Sequence, residues 1–230
     1  MLKTSGKTIA QRRAEINKTA NHGIRAVCFD LDGVLVDAAE WHKDALNEAL
    51  IAFDIDAISE EDHIKTYNGL STYRKLDMLG VNPLGQRLIY EKKQDLTIDI
   101  IEERCTPVAR IIETVERANL IFDNQVAVVT NCSRNTAKLM LKKSGLLHLF
   151  KFLVCNEDVD GKIKPHPRPY LLAQERFGLN GPKCLLAIDD TGRGIISAVD
   201  ARCRTWFLKY FEELTADNLV GVLDSYRITI

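Results

Sequence analysis

Residues 25–37 read RAVCFDLDGVLVD, a short apolar run that delivers two acids, Asp30 and Asp32, just before Gly33 breaks the pattern. Val27, Cys28 and Phe29 read as a buried β-strand. Carboxylates two residues apart at a strand end project the same way. In the crevice beyond the carboxyl edge of a parallel sheet they can share one ligand or metal. The same residues also read as a strand followed by an Asp-Gly turn, which requires no function.

Further along, three more signals appear in order, two of them at the ends of apolar strand-like runs. Thr130-Asn131 closes the apolar run VAVV, Lys164 sits in KIKPHP, and Asp189-Asp190 closes LLAI. The first has a plain explanation as an Asx-turn and the second as a surface lysine. Adjacent acids at a buried strand end, however, repel each other unless a cation lies between them, and Mg2+ with its preference for oxygen ligands meets that need.

The four signals together, spanning Arg25 to about Leu214, resemble the haloacid dehalogenase superfamily of phosphatases and phosphomutases. The resemblance implies that Asp30 is a nucleophile forming an aspartyl-phosphate and that Asp32 is the general acid and base. Thr130, Asn131 and Lys164 would bind phosphate oxygens, with Lys164 also bridging to the nucleophile. Mg2+ would be held by Asp30, the Asp32 carbonyl and Asp190, with Asp189 in support or binding through water. Asp32 favours phosphoryl transfer, because an ester oxygen needs a proton donor and a halide does not. Two departures from the pattern are Thr130, where Ser is more usual, and Ala201-Arg202, where the family usually has a glycine.

His42, five residues after Asp37, resembles a histidine near the site of beta-phosphoglucomutase and its relatives, but reads equally as a helix-face residue beside Trp41. Asn68-Gly69-Leu70-Ser71-Thr72 resembles the substrate loop of that group, with Asn68 and Thr72 where the mutases carry Lys and Arg. The expected cap contacts to substrate are therefore His42, Asn68 and Thr72, while Arg74 or Lys75 either replaces the lost charge or is a solvated helix residue. The expected function is a Mg2+-dependent phosphatase of a small phosphorylated metabolite. A sugar phosphomutase is the alternative enzyme, and a non-catalytic member binding a phosphorylated ligand or a protein is the alternative of another class.

The rest of the chain fits this frame. After Asp37 the period becomes helical, with Trp41, Ala45, Leu46, Ala49, Leu50 and Phe53 on one stripe. Ser59 opens a capped turn, Ser71 or Thr72 begins a short helix that Gly80 ends, and Leu84, Leu88, Leu96, Ile100 and Ile101 mark a long helix. From Thr106 and Pro107, an N-cap and N1 pair, strands and helices alternate. Helices fall at 107–118 (Val108, Ile111, Ile112 and Val115 on one face), 134–144, 168–177 and 194–201, and strands at 125–130, 152–155, 184–189 and 204–208. The fold class is α/β, a Rossmann-like doubly wound parallel sheet with an all-helical cap inserted after the first strand. The expected domains are an N-terminal extension (1–23), a core (24–37 and 106–230) and a cap (38–105).

Lys+Arg and Asp+Glu number 31 and 32 in 230 residues, which gives no basic surface for nucleic acid and none for an anionic membrane. No run is long enough to span a membrane, and the start lacks a signal-peptide pattern, so a cytoplasmic monomer or homodimer is expected. The six cysteines lack metal-ligand spacing and read as reduced, mostly buried thiols.

Overall fold

A computed structural model describes residues 23–67 and 70–226. Five strands, β1 (Ala26–Phe29), β2 (Val126–Val129), β3 (Phe152–Val154), β4 (Leu185–Asp189) and β5 (Arg204–Phe207), form one parallel sheet in the order β3-β2-β1-β4-β5. The chain runs outward from β1 through β2 to β3, then returns to the other side of β1 for β4 and β5. This reversal leaves a crevice at the carboxyl edge beside β1, where diverging loops make room for a ligand.

Among the described residues, four helices of seven residues or more separate β1 from β2: α1 (Ala39–Ile51), α2 (Thr72–Met78), α3 (Pro83–Arg104) and α4 (Ala109–Ile121). Then follow α5 (Arg134–Lys143), α6 (Arg168–Phe177), α7 (Gly192–Asp200) and α8 (Ala216–Ser225). Alternation along the strands divides the core into two layers. Val27, Phe29, Val126, Val128, Leu186 and Ile188 pack with residues of α4, α5 and α8. Ala26, Cys28, Ala127, Val129, Leu185 and Ala187 pack with Tyr170 and Ala173 of α6 and Ala198 of α7. Burying each large apolar side chain contributes roughly 1.5–3 kcal/mol, so a sheet covered on both faces is held chiefly by this term.

The helical insertion has its own small core of Leu46, Ala49, Leu50, Ile58, Leu76 and Ile89. Its helix starts are capped as their residues require: Ser59, Ser71 and Asn82 side chains accept from the backbone N–H groups of Asp62, Arg74 and Gly85. Gly80, at φ +73°, closes the turn after α2.

Several expectations shift in detail. Leu84 and Leu88 are exposed, and the buried stripe of α3 is Ile89, Lys93, Thr97, Ile100 and Ile101, the face that begins with Ile89 against Leu46 and Leu50. Phe53 lies in the turn after α1 and is partly exposed. The helix predicted from Pro107 begins at Ala109, with the Val108 carbonyl accepting its first bonds. Residues 105–108 are spent crossing from insertion to sheet, and Val108 faces solvent. After α7, Arg202 takes φ +58° in place of the expected glycine, keeping the turn at a cost of about 1 kcal/mol. All six cysteines are free, four of them buried. Among the described residues no helix is long and apolar enough to cross a membrane. The expected extension lies outside the described residues except for Gly23, as does Asn68.

Candidate active site

The strand-end residues converge in the crevice. The Asp30 N–H donates to the Ile188 carbonyl at 2.8 Å, so this residue still pairs with β4 as its side chain leaves the sheet. The Lys164 ammonium lies between three acceptors: Asp30 Oδ1 at 2.8 Å, Asp189 Oδ2 at 2.7 Å and the Val129 carbonyl at 2.6 Å. All three of its donors are thus used. Lys164 is only 3% exposed; burial would lower its pKa, but Asp189 and Asp30 outweigh that and raise it.

The loop carrying Lys164 is held by Asn131, whose Oδ1 accepts from the Lys164 N–H at 2.9 Å and whose Nδ2 donates to the Lys164 carbonyl at 3.3 Å. Arg193 donates to the same carbonyl at 3.1 Å. Thr130 is buried, and its hydroxyl accepts from the Cys132 N–H at 3.1 Å. His166 is a loop residue whose Nδ1 accepts from the Arg168 N–H.

The acidic pair divides its work. Asp189 is fully buried: Oδ1 accepts from the N–H and hydroxyl of Thr191, and Oδ2 accepts from Lys164 and from the Tyr170 hydroxyl at 3.1 Å. Four donors leave it as the anchor of Lys164. Asp190 is the opposite case, with a buried Oδ1 that has no hydrogen-bond partner. Burial first, and Asp189 second, push its pKa up to about 6. Carboxylate oxygens of Asp30, Asp189 and Asp190 lie within 4.8 Å of one another. A side chain at Gly33, which sits at φ +77°, would fall on the Asp190 carboxylate, 2.7 Å from its Cγ. An unpartnered buried carboxylate oxygen in an all-oxygen cluster fits a hard divalent cation, which supplies the missing partner and the missing positive charge.

Asp32 has different company. Its Oδ1 lies 2.9 Å from His42 Nε2, its Oδ2 accepts from the Cys132 thiol at 3.0 Å, and His42 Nδ1 lies 3.2 Å from the Lys93 ammonium. An ammonium can only donate, so Lys93 fixes the imidazole with its proton on Nε2, aimed at Asp32. Burial would raise Asp32, but His42, Cys132 and Lys93 together lower it. Asp30 moves the other way: burial raises it well above the carboxylate range, and Lys164 only partly opposes this.

The crevice opens into a cavity of about 520 Å3 between sheet and insertion, lined among others by Asp32, His42, Thr72, Lys75, Lys93, Asn131, Cys132 and Arg193. Sequence reasoning missed Cys132, Tyr170 and Thr191 as partners of the acids, and it missed Lys93. For Lys93 a signal existed, since it falls four residues from both Ile89 and Thr97 on the apolar stripe of α3.

Residues 27–208 match the family model described as haloacid dehalogenase-like hydrolase. The chain belongs to that family. It is similar to the phosphoglycolate phosphatase of Photorhabdus laumondii subsp. laumondii, at 28% identity over 89% of this chain and 90% of that one. It is also similar to the pyrophosphatase PpaX of Oceanobacillus iheyensis, at 25% identity over 86% and 92%. Among solved structures, the beta-phosphoglucomutase of Clostridium difficile superposes with a TM-score of 0.71 at 20% identity, covering 88% of this chain and 98% of that one. Fold and family agree, and the chain is an enzyme of the phosphatase type.

Proposed function

We propose that the chain is a Mg2+-dependent phosphatase that hydrolyses a small phosphorylated metabolite through an aspartyl-phosphate on Asp30. The observation that carries this reading is Lys164, a buried cation hydrogen-bonded to Asp30 Oδ1 in a crevice that also presents Asp32 and Asp190. A pure binding site needs the cation but not a second carboxylate in a separate hydrogen-bond network.

In the proposed reaction Asp30 Oδ2 attacks phosphorus in line, the bond to the ester oxygen breaks, and Asp32 gives that oxygen its proton. Asp32 then takes a proton from water as the water oxygen attacks phosphorus, the bond to Asp30 breaks, and phosphate leaves. Lys164 neutralises charge on the phosphoryl oxygens, with its ammonium placed by Asp189. Thr130 shapes the turn and Asn131 holds the Lys164 loop, so their share in phosphate binding falls to backbone and remaining side-chain donors. Asp30, Asp190 and the Asp32 carbonyl would hold Mg2+, which supplies positive charge against the transferring group.

The ionisation states need both ligands. With the protein groups alone Asp30 is raised and Asp32 lowered, the reverse of a charged nucleophile and a protonated acid. A divalent charge beside Asp30 would stabilise its carboxylate, and a phosphate dianion beside Asp32 would raise its pKa, which is the pairing the proposed reaction needs. We assign residues 38–105 as the cap that closes over the transfer and 24–37 with 106–230 as the catalytic core.

The mutase reading retains one supporting observation: His42, Lys93 and Lys75 give the cap side of the cleft proton-carrying and positive groups. Incubation with beta-glucose 1-phosphate, Mg2+ and a trace of the bisphosphate separates the two, since a phosphatase releases phosphate and a mutase accumulates glucose 6-phosphate. The main test is a panel of phosphate monoesters assayed for phosphate release with Mg2+ and with chelator, for the parent and for Asp30→Asn. The expected loss is at least about 10³-fold with the fold retained, because Asn keeps the volume and removes the nucleophile. Phosphate release by the purified variant at the parent's rate would end the aspartyl-phosphate proposal.

A further inference from the structure

The charged lining of the cleft is one-sided: Lys75, Lys93 and Arg193 stand against a single acid, Asp32. Two of these cations already have work in the protein, Lys93 on His42 and Arg193 on the Lys164 carbonyl. Lys75 has none. Its neighbours Lys43, Lys65, Arg74 and Arg87 each pair with an acid, namely Glu60, Glu61, Asp77 and Glu91. The half-buried Lys75 ammonium has no hydrogen-bond or ion-pair partner among the described residues.

We infer that Lys75 is a specificity-determining residue, and that the substrate carries, besides the phosphate that is transferred, a second anionic group that the Lys75 ammonium binds. This rests on the proposed phosphatase reading and names its substrate class: phosphorylated carboxylic acids or bisphosphates, which share that second charge. Lys75 lies three residues after Thr72 on α2, so both present to the cleft from one helical face, with the Ser71 hydroxyl beside them at the rim. The stacked Tyr73 and Tyr90 rings, with centroids 4.8 Å apart, form the adjoining wall. Burial, and then Lys93, push the Lys75 pKa down to about 8, a cost that an anion seated between the two ammonium groups reverses.

The test measures binding by titration calorimetry, with Mg2+, to the Asp30→Asn variant, which holds substrates without turnover. Two matched pairs are compared: 2-phosphoglycolate against 2-hydroxyethyl phosphate, and glucose 1,6-bisphosphate against glucose 1-phosphate. The member with the added anion is expected to bind about tenfold tighter or more in at least one pair, and the favoured pair tells carboxylate from phosphate. Adding Lys75→Met should cut that advantage at least fivefold, and adding Lys75→Arg should keep it. Removing an unpaired half-buried cation should not lower the melting temperature; if Lys75→Met nevertheless fails to fold, Lys75→Gln takes its place. No preference in either pair, or a preference that survives loss of the ammonium, overturns the inference. A preference without phosphate release by the parent enzyme would leave this inference standing and remove the phosphatase reading. Phosphate release without a preference would do the reverse.

Discussion

Replacing Lys164 by Met keeps the length of the side chain and removes the one charge that Asp30, Asp189 and the Val129 carbonyl share. Deleting one partner of a buried ion pair costs about 3–5 kcal/mol, because the charges left behind stay desolvated. Here the remaining carboxylates are 8% and 0% exposed. Asp189 keeps the Tyr170 and Thr191 donors, so the loss falls chiefly on Asp30 and on the Val129 carbonyl. At about 2–4 °C per kcal/mol for a chain of this size, the melting temperature should fall by roughly 6–20 °C.

The sign of the pH dependence follows from which group titrates. In the parent, Lys164 has a raised pKa, so its contribution is complete below the ordinary lysine range and is lost only as pH rises through the folded value. Between pH 5 and 8 it is therefore constant. In the variant Asp30, raised by burial and no longer opposed by Lys164, carries a raised folded pKa and destabilises the fold above its unfolded pKa. The deficit should be largest at pH 8 and shrink towards pH 5. Thermal unfolding at both values, with chelator to keep divalent cations from replacing the ammonium, measures this. A loss under about 2 °C at pH 8, or an equal loss at both pH values, would refute the buried-pair account.

Gly33→Ala forces a side chain into a left-handed residue at φ +77° and onto Asp190; about 1–2 kcal/mol of stability should go with the backbone strain, and displacement of Asp190 should lower kcat/KM by about 10²-fold. Unchanged kcat/KM and Mg2+ affinity in this variant would sink the role given to Asp190. Because burial and Asp189 hold the Asp190 pKa at about 6, proton and cation compete for it, and the Mg2+ Kd measured by calorimetry should be about tenfold weaker at pH 5 than at pH 7. A Kd that does not change over that interval would place the cation elsewhere.

What could be read from the sequence was what a strand end dictates. An apolar run of four or five residues followed by Asp, Thr or an acidic pair fixes both the element and the edge of the sheet where the polar residue emerges, and the three strand-end signals meet the loop residue Lys164 in one crevice. Loop and helix residues are harder, because a helix shows polar residues on several faces and only packing chooses among them. Leu84 and Leu88 look like core positions and are exposed, whereas Lys93 looks like a solvated charge and is buried. Cys132 reads as one more reduced thiol until the turn after β2 brings it 3.0 Å from Asp32. Asn131 lines the cleft, and its side-chain amide is taken by the backbone of Lys164, 33 residues on, a pairing that no local pattern encodes.

The charge balance of the crevice explains why those particular side chains had to be buried. Asp30, Asp32, Asp189 and Asp190 are four acids, and Lys164 and Lys93 are the two cations hydrogen-bonded into their networks. If all six are ionised, two negative charges remain, which repels a phosphate dianion. A divalent cation cancels that remainder. Lys164 bridges Asp30 and Asp189 with the Val129 carbonyl as its third acceptor, and Lys93 meets Asp32 through His42. One cation is thus committed to Asp30 and the other acts on Asp32, so the two carboxylates experience separate fields although they are two residues apart. Burial outweighs Lys164 at Asp30, while His42, Cys132 and Lys93 outweigh burial at Asp32, so the two acids shift in opposite directions, and the proposed chemistry needs a bound cation and phosphate to reverse both.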